Sequence, residues 1–490
     1  MYFKYNLCHL FLFTFLFGST STVLSSDKEP NYVDVYTLSR FVDDSLMLNS
    51  NMKTADLRIK RLVYDLDQAA SQLGWVLSAQ GGVSRNSSIF GIESDVADLT
   101  VGMERLLESG NTLSLTGRYE YSDSEQSVSA LSPNPQDKIN LDLNYRVPLL
   151  EGESNLKYFN AINKAKIESK IAEFEKVKIK EQLTLQLINV FYTMAVLDAR
   201  LKTANKSLDR TIKLRRYIKS NIELGLLEKG EILQIDSQIY TLKLELKKIL
   251  ELKKQQIIAV NRFLKKSPDS DFITEITQKK NGKDLTNSSR ILLNIKSHST
   301  ELNQKKLKSE LLDLLLYSSK DKEKSKLDLV LSLGVQDRSG SNSGSNINDT
   351  DTTGMIRLEY RNALDKRTFS SERLKIQIDR EQNKEEFLSI TEDLEYDAHK
   401  LIANIEKSRE ILELAKLKKL NEEKKYKDIL KRFKRGRTTT NILIQFDNEK
   451  IRSELELDTE KYEYYKRIDL LNLKQGLFFN DSLINTRGES

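Results

Sequence analysis

Cysteine is almost absent: Cys8 is the single one in 490 residues. Beyond it no thiol exists, which excludes a disulfide framework and a cysteine nucleophile. Proline is nearly as rare, with five in all and none between Pro148 and Pro268, so nothing breaks a helix over that interval. The three histidines, His9, His298 and His399, have no Cys, Asp or Glu at metal-ligand spacing. Charge of one sign is missing too. The 78 basic residues are balanced by 72 acidic ones, without the clustered unopposed Lys and Arg that nucleic acid requires. No glycine-rich phosphate loop occurs, because the run Ser339 to Gly344 lacks a Lys-Ser/Thr ending. The nearest thing to a nucleophile elbow, Gly340-Ser-Asn-Ser-Gly344, lies in a polar stretch. The residues point to no enzyme, no cofactor and no metal. Long apolar runs are also lacking: no segment holds the eighteen apolar residues of a spanning helix. A chain like this crosses a membrane only as strands closed into a barrel.

What is present begins with a leader. Lys4 precedes a run of Leu and Phe from Leu10 to Phe17, and Val23-Leu24-Ser25 is an acceptable cleavage triplet. Residues 1–26 are read as a signal peptide, with the mature chain starting near Asp27. Cys8 and His9 then belong to the removed segment, and no lipid anchor is read.

The chain is organised around Leu183 to Gly230. Leu183, Leu187, Val190, Met194, Leu197, Leu201, Ala204 and Leu208 are spaced alternately four and three apart. That is the period at which helices wrap around one another. The pattern runs from about residue 154 to Leu224, with Ser154 or Asn155 as its cap, a rod of about 105 Å. Gly225-Leu-Leu-Glu-Lys-Gly230 breaks it, and a second seam follows at Ile235, Ile239, Leu242, Leu246 and Ile249. The result reads as two antiparallel helices joined by a tight turn, a hairpin over about 154–265.

Ahead of that hairpin lie two helices, Thr37 to Leu48 and Met52 to Leu73, and then the period changes to two. Ile139, Leu141, Leu143, Tyr145 and Val147 alternate with Asn140, Asp142, Asn144 and Arg146. Leu113, Leu115, Gly117, Tyr119 and Tyr121 alternate in the same way. Weaker strands read at Trp75 to Arg85 and Ala97 to Leu106, with Ser109-Gly110-Asn111 as a turn. Nine to eleven residues with one apolar face suit an oblique crossing of an outer membrane; an antiparallel sheet on a soluble core shows the same alternation.

After a linker from Asn281 to Ser289 the order repeats. Helix is expected from Ile291 to Tyr317, strands at Leu327 to Val335 and Ile356 to Tyr360, and a solvated loop over Ser339 to Gly354. A long helix follows from about Lys366, with a seam at Leu394, Ala398, Leu401, Ile405, Leu412 and Ala415. Gly436 breaks it, and a return helix runs from Asn441 to Leu477. This doubling divides the chain into repeats over 27–280 and 281–477 and a flexible tail over 478–490. Strands fall at about 75–147 and 327–361, with the second hairpin over about 366–477.

These features resemble the outer membrane efflux protein family, the TolC-like ducts, from about Tyr36 to Leu477. The resemblance rests on the doubled order and on local matches. These are Thr37-Leu38 through Asn49-Ser-Asn51, Tyr145-Arg-Val-Pro-Leu-Leu-Glu-Gly152, Val190-Phe-Tyr192, Gly225 with Glu231, and Arg435-Gly-Arg-Thr-Thr-Thr440. It implies a fold that is mainly α with a β-barrel portion. Three chains would form one tube, pooling strands in the outer membrane and helices in a periplasmic tunnel. It implies a passive duct for tripartite efflux or type I secretion, served by a periplasmic adaptor and an inner-membrane transporter. Gly225, Leu226, Leu227, Gly230, Glu231, Arg435, Gly436, Arg437 and Thr438 would be the adaptor-contacting tips. Glu231, Asp236 and Asp447 would stand near the pore constriction. Two departures exist. The family's acidic residue six places after the second glycine is Ile442 here, beside Asn441, and the first half holds four strands where two are usual. Two other readings stay open at this point, a periplasmic coiled-coil adaptor and an envelope scaffold without a pore. The duplication opposes the first and the period-two strands oppose the second.

Overall fold

The computed structural model describes residues 34–87, 93–125, 133–152, 155–276, 288–342 and 345–479. The expected leader, most of the linker after residue 280 and the tail beyond Phe479 lie outside these.

A three-residue strand, β1 (Asp34–Tyr36), leads into α1 (Leu38–Leu48) and α2 (Ser50–Ala70). Thr37 and Asn49 cap these two helices, the Asn49 side chain accepting from the Asn51 N–H at 2.8 Å. Such caps satisfy first-turn N–H groups that have no partner within the helix. Four strands follow: β2 (Trp75–Ser87), β3 (Glu93–Leu106), β4 (Thr112–Ser124) and β5 (Gln136–Pro148). Then come α3 (Leu156–Glu223), α4 (Glu231–Leu264) and β6 (Phe272–Thr274). The second half holds α5 (Ser288–His298), α6 (Thr300–Lys322), β7 (Lys326–Asn342), β8 (Ser345–Arg361), α7 (Arg367–Lys434) and α8 (Thr440–Lys474).

The duplication is metrical. α3 and α7 are each 68 residues long, and their return helices are 34 and 35. At 1.5 Å per residue the long helices reach about 102 Å. Each is flanked by two shorter helices, one on each half of its length. α2 lies along the upper part of α3, where Lys176 pairs with Asp56, and α4 lies along its lower part, where Lys253 pairs with Asp198. α6 and α8 flank α7 likewise, through Arg380–Asp313 and Lys418–Glu456. The apolar seams are buried as the spacing requires: Leu187, Met194, Ile235, Ile405 and Leu412 are all interior. Each such side chain contributes about 1.5–3 kcal/mol.

Halfway along the rods sits an aromatic belt. β1 and β6 pair in parallel, placing Tyr36 against Phe272 with ring centroids 5.0 Å apart. Phe41 and Phe191 stack beside them, and Met194, Val260 and Leu264 complete the cluster. Tyr192 donates to Asp469 at 2.6 Å across the interface between α3 and α8, and burial raises its pKa.

Several local expectations are corrected. Ile291 to Tyr317 is not one helix but two, because Ser299 leaves the helical region and caps α6. Asn155 stands before α3 but does not cap it. It is left-handed (φ 47°), and its amide instead donates to the Leu107 carbonyl at 3.0 Å, tying the corner to the β3–β4 turn. Phe478 and Phe479, assigned to the tail, pack against the aromatic belt. The expected loop from Ser339 to Gly354 is strand wherever it is described, β7 and β8 remaining paired through Ser341↔Asn346, while residues 343–344 lie outside the described residues. Backbone pairing there does not need apolar side chains.

Candidate functional site: a two-faced sheet and two helix tips

The six long strands form one antiparallel sheet in the order β2-β3-β4-β5-β7-β8. Its register sorts side chains by face. One transverse row reads Leu77, Met103, Leu115, Leu143, Leu333 and Gly354. The next row on that face reads Ala79, Val101, Gly117, Leu141, Val335 and Thr352. Trp75, Tyr145 and Tyr360 edge this face at the helix side, Tyr119 and Tyr121 at the far side. Leu77, Val83, Ile139, Leu141, Ile356 and Leu358 are exposed. Between Val147 and Ile139 the apolar band runs about 27 Å along the strand.

The opposite face is mostly polar, with Val76, Val330 and Met355 among its few apolar side chains. Thr116, Asp142 and Gly334 share a row there, as do Lys138, Arg338 and Asp349. Arg146 bridges Asp328 and Glu359, 2.8 Å from each. No described helix is long and apolar enough to cross a membrane.

At the other end of the rods the two helix turns are built alike. Gly225 has φ +70° and Gly436 φ +71°. In each the residue after the glycine donates back over one helical turn: Leu226 N–H to Asn221 at 2.8 Å, and Arg437 N–H to Arg432 at 2.9 Å. Gly225 and Gly436 themselves donate to Ile222 and Phe433. This closes the last carbonyls of α3 and α7, and it needs the left-handed backbone that glycine adopts without strain. Gly230 immediately precedes α4. Leu226 is 68% exposed, Arg435, Gly436 and Arg437 are exposed, Thr438 is half-buried, and Leu227 folds inward.

The two tips are welded together. Ile218, Ile235, Phe433 and Leu443 form a single plug drawn from α3, α4, α7 and α8. Glu231, the first residue of α4, accepts the Thr440 N–H at 3.2 Å, so its carboxylate caps the neighbouring α8. Asp236 pairs with Arg215, whose second guanidinium nitrogen lies 3.1 Å away; that contact holds the Asp236 carboxyl below its ordinary range. Asp447 is 7% exposed and faces Arg210 at 3.5 Å. Burial raises its pKa in spite of that neighbour, and burial pushes the nearby Tyr426 hydroxyl up to about 12. Each of the three carboxylates considered for a constriction therefore has a partner in its own chain. The sequence reading missed Arg210, Arg215 and Thr440 as those partners. A hairpin register counted from Gly225 brings Arg215 near Asp236, whereas Glu231 and Thr440 are 209 residues apart and share no local pattern.

Glu231→Ala leaves the Thr440 N–H without its acceptor. The expected cost is about 1 kcal/mol, read as roughly fivefold faster amide exchange at the start of α8 with the sheet unaffected.

No protein-family model and no curated protein matches this sequence. Solved structures do match. The outer membrane protein VceC of Vibrio cholerae aligns at 16% identity and TM-score 0.60, over 90% of this chain and 96% of its own. The CmeC outer membrane channel of Campylobacter jejuni aligns at 12% identity and TM-score 0.59, over 90% and 86%. The open state of the MtrE outer membrane channel of Neisseria gonorrhoeae aligns at 12% identity and TM-score 0.55, over 90% and 88%. Nearly the whole described chain, sheet and rods together, thus carries the fold of the TolC-like outer membrane channels.

Proposed function

We infer that the protein is the outer-membrane channel of a tripartite efflux or type I secretion system, a passive duct across the periplasm. The observation that carries this reading is the pairing of the two-faced sheet with rods of about 102 Å. A sheet apolar on one face and charged on the other is suited to lipid outside and water inside. Rods of that length reach far beyond the membrane that such a sheet would occupy. In this reading three copies form the tube, and the leader directs export to the outer membrane. A periplasmic adaptor engages the tips from Gly225 to Glu231 and from Arg435 to Thr438, and an inner-membrane transporter supplies the substrate. In this reading Glu231, Asp236 and Asp447 contribute to the constriction toward the closed end. Opening would require their ties to Thr440, Arg215 and Arg210 to yield.

The direct test is detergent extraction followed by reconstitution in a planar bilayer. A heat-sensitive trimer with discrete conductance is expected; a water-soluble monomer without conductance would remove the duct. A second test addresses the tips. Gly225→Pro and Gly436→Pro cannot adopt φ near +70°, since proline holds φ near −65°. Each should reduce transport at least tenfold in cells while membrane insertion stays normal. Loss of insertion would mean that the tips do something other than couple to the adaptor.

A further inference from the structure

The sheet ends on two free edges. Among the described residues β2 has no partner beyond β3 and β8 none beyond β7, over 13 and 17 residues respectively. If the apolar face meets lipid, as the duct reading requires, neither edge can stay open, because hydrocarbon supplies no partner for a row of N–H and C=O groups. Six strands cannot close alone. Eight is about the number whose interior side chains just fill, and here the inner face carries Arg118, Lys138, Arg338 and Arg357. Closure must therefore come from further copies. The strand number per chain is even, so β2 and β8 run in opposite directions, and joining the β2 edge of one copy to the β8 edge of the next continues the antiparallel order. The interface is head-to-tail, the kind that generates rings.

We propose that the barrel is a ring of eighteen strands from three copies, closed by β2 against the partner's β8, with Ala79 opposite Leu358 of the partner subunit. The register follows from matching the apolar stretches of the two edges. On the lipid-side face β2 is apolar from Trp75 to Val83, centred on Ala79, and β8 is apolar from Ile356 to Tyr360, centred on Leu358. Sliding β8 the other way would set Ala79 against Asn346, a polar residue. Within one chain the transverse row through Ala79 reaches β8 at Thr352. The proposed contact lies six residues further along, a stagger of about 20 Å across six strands about 29 Å wide. That ratio sets a tilt of about 35°, inside the range of outer-membrane barrels. Eighteen strands at that tilt give a backbone diameter of about 34 Å, in the class that encloses an aqueous channel. Without the β2–β3 hairpin the same arithmetic leaves about 22 Å. The extra hairpin of the first half is thus the device that widens the outer pore.

This proposal rests on the duct reading, and cysteine cross-linking of the full chain in native membranes separates the two. Ala79→Cys with Leu358→Cys probes the lipid side, and Gln80→Cys with Arg357→Cys probes the lumen side of the same register. One of the two falls on a closely spaced pair whichever way the ladder alternates. Mild oxidation should convert most of the protein to covalent dimers and trimers, at least fivefold above Ala79→Cys with Thr352→Cys. A cross-linked band confined to the monomer would overturn the ring in favour of self-closure. A conducting trimer that neither pair cross-links would overturn the β2–β8 contact and leave the duct intact. A soluble, non-conducting monomer would remove both.

Discussion

In the duct reading Leu115→Arg should empty the membrane fraction of this protein, whereas Thr116→Arg, one residue along β4, should leave it inserted. Leu115 lies mid-band on the apolar face, between Met103 and Leu143. If the apolar band spans a bilayer, an arginine there, near its centre, costs about 2–4 kcal/mol, which shifts insertion by roughly thirtyfold to a thousandfold. Thr116 points to the other face, opposite Gly102 and Asp142. A new guanidinium there meets a carboxylate and water. The measurement is the heat-resistant oligomer in outer-membrane preparations. Equal behaviour of the two variants would mean that the sheet is covered by protein on its apolar face.

Arg210→Met should destabilise the lower rods strongly. The Arg210 and Asp447 side chains are 27% and 10% exposed, and removing Arg210 leaves the buried carboxylate with only Lys450 as a nearby cation. Breaking a buried pair from one side costs about 3–5 kcal/mol. Replacing both, as Arg210→Met with Asp447→Leu, should restore most of it, because an apolar pair of similar volume fits between α3 and α8. The sign with pH is fixed by the direction of the shift. Asp447 has a raised pKa, so its protonated form suits the folded state. The penalty is absent below the ordinary carboxylate value of 3.8 and grows as the pH rises through the raised one. Thermal unfolding by circular dichroism over that range checks both parts. A single variant as stable as the double one at every pH would show that the pair carries no energy.

The rods were legible because their cause is periodic and local. A seam such as Leu183, Leu187 and Met194 is written directly in the spacing, and Gly225 and Gly436 mark positions where only a left-handed residue closes the helix. The apolar face of the sheet was equally plain wherever it alternates with charge. Legibility failed where backbone pairing alone does the work. From Ser339 to Gly354 the side chains are those of a loop, and the strands persist because each is the other's partner. The strap of β1 and β6 is three residues on each side and joins positions over two hundred residues apart. No window of sequence contains that. The Glu231–Thr440 contact was invisible for the same reason, since it depends on how two repeats stand side by side.

The way each long helix is flanked has a mechanical consequence. At mid-height the supporting helices change over, α2 giving way to α4 and α6 to α8, while only α3 and α7 run through. The aromatic belt of β1, β6 and α1 packs against α3 and α4 at that level and braces the changeover. A twist applied at the free ends would have to pass that brace before it reached the strands. In the duct reading, the mouth of the tube would therefore dilate while its rim keeps a fixed bore.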